Sequence, residues 1–321
     1  MTSQDFRGRL LTLLALALLV AGPAAVTRAD DATAPAKSLS LVVLGSGGPG
    51  ATGRAGASYL VLIDGTPRIL VDAGPGAFVR VGEAGLSLAD TDIVLLTHLH
   101  VDHAGGLAGL FKARAVSGTD AAQFSVWGPA GSGPRPAGAW FPSTSRFLEL
   151  LFGKQGAFAY LADFAAPVRI DAHDIALPAG GAVSPQVILA RDDIVVRAIR
   201  GHHADAPAVI YRIEHAGRSV TFSGDIDAQG LPALRALAAG TDLLVFNSVV
   251  RDPPGSRAVL YQLHTPPMAI GEIARGAAVR QLLLSHLSPA VDAHRDEVLE
   301  SIRRNYAGPV AFAEDGLRVT P

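Results

Sequence analysis

Asp92-Ile93-Val94-Leu95-Leu96-Thr97-His98-Leu99-His100-Val101-Asp102-His103 decides the reading of this chain. The run 93–96 is short, apolar and partly β-branched, which predicts a buried strand. Four side chains that can hold a metal follow it within six residues. Residues two apart on an extended chain face the same way, so His98 and His100 can grip one ion together. Asp102 and His103 come as the chain turns and can face a second ion beside the first.

Further candidates stand where other predicted strands stop. His202 and His203 follow a strand over 194–199, Asp225 follows one over 219–222, and His286 ends one over 279–285. A carboxylate has two oxygens, so Asp225 could bridge two ions about 3.5–4 Å apart. The chain has no cysteine. Disulfides and thiolate sites are therefore excluded, and a His and carboxylate set suits zinc, iron or manganese.

The remaining pattern is that of one enzyme-sized domain. Strands are expected over 38–45, 58–63, 68–72 and 124–127, with a hairpin over 208–213 and 218–222. Helices are expected over 104–114, 231–239, 267–277 and 296–306. Residues 116–184 read as an irregular insertion with one helix over 145–152. Its aromatics, Trp140 to Phe164, suit core packing or an apolar wall over the metals. Gly45-Ser46-Gly47-Gly48-Pro49-Gly50 satisfies GxGxxG, but that dinucleotide fingerprint must open a helix. Here the next element is a strand, so a tight loop at the rim of the site is expected instead. His173, His215 and His294 are expected on solvated turns and loops.

Residues 1–29 have the plan of a secretory signal peptide: Arg7 and Arg9, an apolar run over 10–21, then small residues to Ala29. The run is shorter than the roughly 20 residues a spanning helix needs. The expectation is a periplasmic or secreted product over 30–321 with no stable membrane anchor. That product would hold 24 basic and 28 acidic residues, a net charge of −4. Only three lysines occur, at 37, 112 and 154, and there is no basic run. Nucleic-acid binders normally show a basic patch, so no nucleic-acid partner is expected. A homodimer is compatible with the sequence.

The order His98-x-His100-x-Asp102-His103, His203, Asp225, His286 resembles the metallo-β-lactamase-fold hydrolases, as does Val71-Asp72-Ala73-Gly74. Leu44 to Pro49, Trp127-Gly128-Pro129, Pro207 to Ile213, His264-Thr265 and Leu284 to Pro289 are most similar to the ribonuclease Z and arylsulfatase-like branch. The resemblance implies an α/β, four-layer αββα sandwich. It implies His98, His100 and His203 on one zinc ion, Asp102, His103 and His286 on a second, and Asp225 between them. The spacing to Pro207 and Tyr211 favours His203 over His202, which would then touch substrate. Zinc lowers the pKa of bound water to about 7, so a metal-bound hydroxide would attack, oriented by Asp102. His264 would donate a proton or steady negative charge. Asp72 is expected to fix a turn or orient a ligand.

Many ribonuclease Z proteins carry a long tRNA-gripping arm before the bridging aspartate. Here only 21 residues separate His203 from Asp225. The reading is therefore against tRNA 3′-processing and for hydrolysis of a small phosphodiester or sulfate ester. The alternatives are a lactone or β-lactam hydrolase, or an exported metal-binding protein without turnover.

Overall fold

The computed structural model describes residues 37–50, 52–132, 140–176 and 184–321. The segment read as a signal peptide, 1–29, lies outside them. Two seven-stranded sheets form the centre. The first contains β1 (Leu39–Gly45), β2 (Ser58–Ile63), β3 (Thr66–Ala73), β4 (Ile93–Leu95), β5 (Ala122–Pro129) and β6 (Val168–Ile175) in that spatial order. The second contains β7 (Gln186–Arg191), β8 (Ile194–Arg200), β9 (Val209–His215), β10 (Arg218–Phe222), β11 (Leu243–Asn247), β12 (Gln281–Ser285) and β13 (Val310–Phe312), likewise in sequence order. The short β14 (Arg318–Val319) returns to pair antiparallel with β1 in the first sheet.

Strands here are apolar on both faces because both faces are covered. Leu41 and Val43 of β1, Ile93 and Leu95 of β4, and Leu243 and Val245 of β11 all enter the layer between the sheets. Their neighbours turn outward, Val42, Leu44 and Val94 on one side and Leu244 and Phe246 on the other. The first outer face is covered by α1 (Ala77–Glu83), α3 (Leu107–Ser117) and α4 (Thr144–Phe152), with the short α2 (Val101–Ala104) preceding α3. The other outer face is covered by α5 (Leu231–Leu237), α6 (Pro267–Gly276) and α8 (Arg295–Arg303), with α7 (Pro289–Asp292) leading into α8. The layers run helix, sheet, sheet, helix, as expected. Fully buried side chains such as Leu41 and Leu95 should each cost about 2–5 kcal/mol on truncation to alanine.

Two expectations differ from the structure. The helix expected over 104–114 is two helices, α2 and α3, separated by Gly105-Gly106, where the Gly106 N–H bonds the Ala73 carbonyl at 2.7 Å. The 116–184 region is not irregular throughout. β5 and β6 continue the first sheet in parallel pairing. β6 carries Asp171, His173 and Asp174 and is only partly buried, so its apolar signal is weak. Edge strands of this kind commonly carry charge that blocks further pairing.

β3, β4, β5 and β6 are parallel, as are β10, β11, β12 and β13. Their carboxyl ends are where ligands bind in open parallel sheets. Every candidate site residue except His264 lies just beyond such an end or beyond β8.

Candidate metal centre

His98 follows β4 and Thr97, and His100 caps the start of α2, which carries Asp102 and His103. His203 lies three residues past β8, Asp225 three past β10, and His286 directly after β12. Gly74 permits this convergence at the end of β3. A Cβ there would lie 2.4 Å from the Asp102 carbonyl and 2.3 Å from Gly56.

Six of the nine expected residues gather as two groups around a seventh, Asp225. His98, His100 and His203 offer nitrogens within 4.8 Å of one another, and an oxygen of Asp102 lies as close to nitrogens of His103 and His286. Asp225 lies between: its Oδ2 is 3.9 Å from His98 Nε2, 3.6 Å from His103 Nε2 and 3.7 Å from His203 Nε2. Its Oδ1 is 3.6 Å from His286 Nε2. His264 joins on the same side, its Nδ1 3.9 Å from Asp225 Oδ2.

His202 is not brought in. Its Nδ1 bonds Asp227 at 2.7 Å and its side chain is 32% exposed. It instead lines a neighbouring cavity of about 270 Å³ together with Arg200, Gly131 and Ser132.

The imidazoles are oriented from behind. His103 Nδ1 donates to Asp72 at 2.8 Å, and His203 Nδ1 donates to the Leu263 carbonyl at 2.9 Å. In each case the Nε2 lone pair is left facing the cluster, the usual arrangement around a metal. Asp72 also accepts from the Thr97 N–H and hydroxyl, at 2.7 and 2.8 Å. It thus orients His103 and fixes the turn at Thr97. Asn247 was not among the expected residues. Its Nδ2 donates to Asp225 Oδ1 at 2.8 Å. Asn247 ends β11, and strand-end position was the one signal that could have found it.

The electrostatics divide the imidazoles. Burial opposes a proton on His103, yet Asp72 and Asp225 outweigh it and raise its pKa well above the ordinary value. Burial also opposes the ionised form of Asp225, but His286 and His103 hold it well below the usual carboxylate range. Burial lowers His98 and His100, and brings His264 down to about 4. His264 is therefore a neutral imidazole near neutral pH, suited to hydrogen bonding rather than to acting as an acid.

A metal pair fits these residues. His103 Nε2 is buried with no hydrogen-bond partner, although buried polar atoms are nearly always satisfied. It faces two carboxylates, and the donor set of imidazole and carboxylate suits zinc, iron or manganese.

The other histidines differ from expectation. His215 is 3% exposed and meets Asp64 at 3.0 Å, joining the two hairpin turns at the far end of the sheets. His173 lies on β6 and stacks on Trp127 with ring centroids 3.9 Å apart. His294 is partly buried, its Nδ1 2.9 Å from the Ala290 carbonyl. The aromatics divide: Phe147, Phe152, Phe158 and Phe164 pack on the first sheet's outer core, whereas Phe141 lies 5.9 Å from the His100 ring.

A model of the beta-lactamase superfamily domain matches residues 67–287, a span holding all seven clustered residues. The chain belongs to that superfamily. It is a metal-dependent hydrolase of the metallo-beta-lactamase fold. Ribonuclease Z of Mycobacterium sp. (strain KMS) is 30% identical over 263 residues, covering 79% of this chain and 85% of that protein. Among solved structures, the metallo-beta-lactamase fold protein YhfI from Bacillus subtilis gives a TM-score of 0.66 at 18% identity. It covers 89% of this chain and 100% of its own. Human tRNase Z, short form, gives 0.64 at 19% identity, covering 87% and 98%. A relative named for acting on RNA does not fit the expectation that nucleic acid is no partner.

Proposed function

We propose that this superfamily member is an exported, dinuclear zinc phosphodiesterase. The observation that carries the reading is the pair of three-residue groups, His98/His100/His203 and Asp102/His103/His286, on either side of Asp225. Two zinc ions there would supply a nucleophile from water near neutral pH and neutralise charge on the ester oxygens.

The protein's own residues supply position. Asp225 is held by Asn247 so that Oδ2 faces the histidines. Asp102, 3.0 Å from His286 Nε2, can orient the attacking water. Neutral His264 can hydrogen bond to charge developing on the ester. Among these seven residues and His264, His100 is the most exposed, so substrate would approach beside it, along Phe141. The cavity lined by His202, next to His203 in the chain, would receive the far part of a substrate.

The ribonuclease Z relative supports phosphorus over sulfur. It also favours a second reading, in which the phosphodiester belongs to RNA. Against that stand the three lysines and the hairpin of β9 and β10, which fills most of the stretch between His203 and Asp225.

The test is hydrolysis by the zinc-loaded protein of matched nitrophenyl phosphodiester, sulfate, carboxyl-ester and lactam reporters, and of a 3′-extended tRNA. Asp225→Ala serves as the control. Phosphodiester turnover that disappears in the control supports the reading. Preference for tRNA moves it to RNA, and turnover of only another reporter overturns it. Export is tested by sequencing the N-terminus of protein recovered from a Gram-negative periplasm, where cleavage near residue 25 or 29 is expected.

A further inference from the structure

His286 differs from His103 and His203 in how it is held. His103 and His203 have their remote nitrogens on Asp72 and on the Leu263 carbonyl. His286 Nδ1 is buried and has no hydrogen-bond partner. Its backbone also takes φ 54°, in the left-handed region that non-glycine residues avoid. Such a conformation persists only where the surroundings impose it.

Those surroundings are the glycine-rich loop after β1. The Leu287 N–H, next to His286, donates to the Ser46 carbonyl at 2.8 Å, and Gly47 bridges Leu287. Gly48 lies directly on the imidazole. A Cβ built there would be 2.6 Å from His286 Cε1 and 2.8 Å from Nδ1. Packing by this loop therefore does for His286 what a hydrogen bond does for His103 and His203.

The loop is in turn fixed by one carboxylate from the far end of the chain. Asp315 Oδ1 accepts from the Ser46 N–H at 2.9 Å and the Ser46 hydroxyl at 2.7 Å. Its Oδ2 accepts from the Ala55 N–H at 2.8 Å and Arg80 Nε at 2.9 Å. Both ends of the loop are thus clamped, and all four partners are donors. An amide at this position would turn a donor toward one pair, so asparagine cannot reproduce the arrangement.

We propose that Asp315 is a positioning residue for His286, acting through the Ser46–Ala55 loop to set affinity at the Asp102/His103/His286 metal position. The inference rests on the two-metal reading, and the test separates them. Zinc and cobalt titrations, with cobalt absorption as the spectroscopic signature, would compare the wild type with His286→Ala, Asp315→Asn and Gly48→Ala. His286→Ala should lose one equivalent of two; if it does not, the two-metal reading fails. Asp315→Asn and Gly48→Ala should each weaken the same equivalent at least tenfold and alter only its cobalt bands. Wild-type binding in either variant, or equal weakening of both equivalents in Asp315→Asn, overturns the inference.

Discussion

Asp72 accepts the Nδ1–H of His103 at 2.8 Å and, with its other oxygen, the N–H of Thr97 at 2.7 Å. One buried carboxylate thus fixes both the strand end that launches His98 and the imidazole of His103. Asp72→Asn keeps the shape but offers one acceptor where two are needed. Metal affinity is expected to fall about 10–100-fold, the usual effect of losing a partner behind a ligand. Stability should drop by about 1–3 kcal/mol as buried donors lose their acceptor. Metal titration and chemical denaturation of the same variant check both.

Asn247→Ala removes the donor that holds Asp225 Oδ1. Freed to rotate, Asp225 no longer keeps Oδ2 toward the histidines. Metal affinity or turnover should fall by about tenfold or more. Asn247→Asp should be worse, because a second carboxylate would face the first across 2.8 Å. A metal titration of both variants reads the order.

Phe141 lies against the side of the cluster where His100 is least buried. Phe141→Ala should raise KM for a nitrophenyl phosphodiester several-fold and change kcat little, the pattern of lost uniform binding. Steady-state kinetics with an aryl and a methyl ester check this, with the larger change expected for the aryl one.

Arg54 holds Asp292 through two hydrogen bonds, at 2.9 and 3.1 Å, and reaches Glu314 at 2.9 Å. Partial burial opposes ionisation of both acids, but Arg54 and Arg295 outweigh it and lower both pKa values. The unfolded chain then binds more protons as pH falls, so this stabilisation is full above the ordinary carboxylate pKa of about 4. It is lost as pH drops through the lower folded values. Arg54→Leu should cost about 1 kcal/mol at pH 7, given that Glu314 is half exposed. The gap to wild type should close toward about pH 2–3. Thermal denaturation across that range reads the sign.

The sequence was most legible where chemistry and periodicity coincide. HxHxDH after an apolar strand named four of the clustered residues outright, and the strand-end rule found His203, Asp225 and His286. The two covered sheets left uninterrupted apolar runs that mark strands such as β1, β2 and β4, whereas β11, equally apolar and central, was not among the strands expected. Legibility also failed at the edges. β6 and β7 are short of buried residues, and the last two strands have only three and two residues, so neither alternation nor length marks them. Contacts between distant stretches of the chain were also hidden. His215 meets Asp64 across 151 positions of sequence, and Asp315 meets Ser46 across 269. No local pattern carries such a pairing. Asn247 was passed over because β11, the strand it ends, was not itself expected.

The most direct test of the whole account is anomalous diffraction from crystals of the zinc-loaded protein, recorded on both sides of the zinc edge. The account predicts two peaks about 3.5–4 Å apart, one among His98, His100 and His203, the other among Asp102, His103 and His286, with Asp225 between them. A single peak, or zinc bound elsewhere with these residues unengaged, would contradict it.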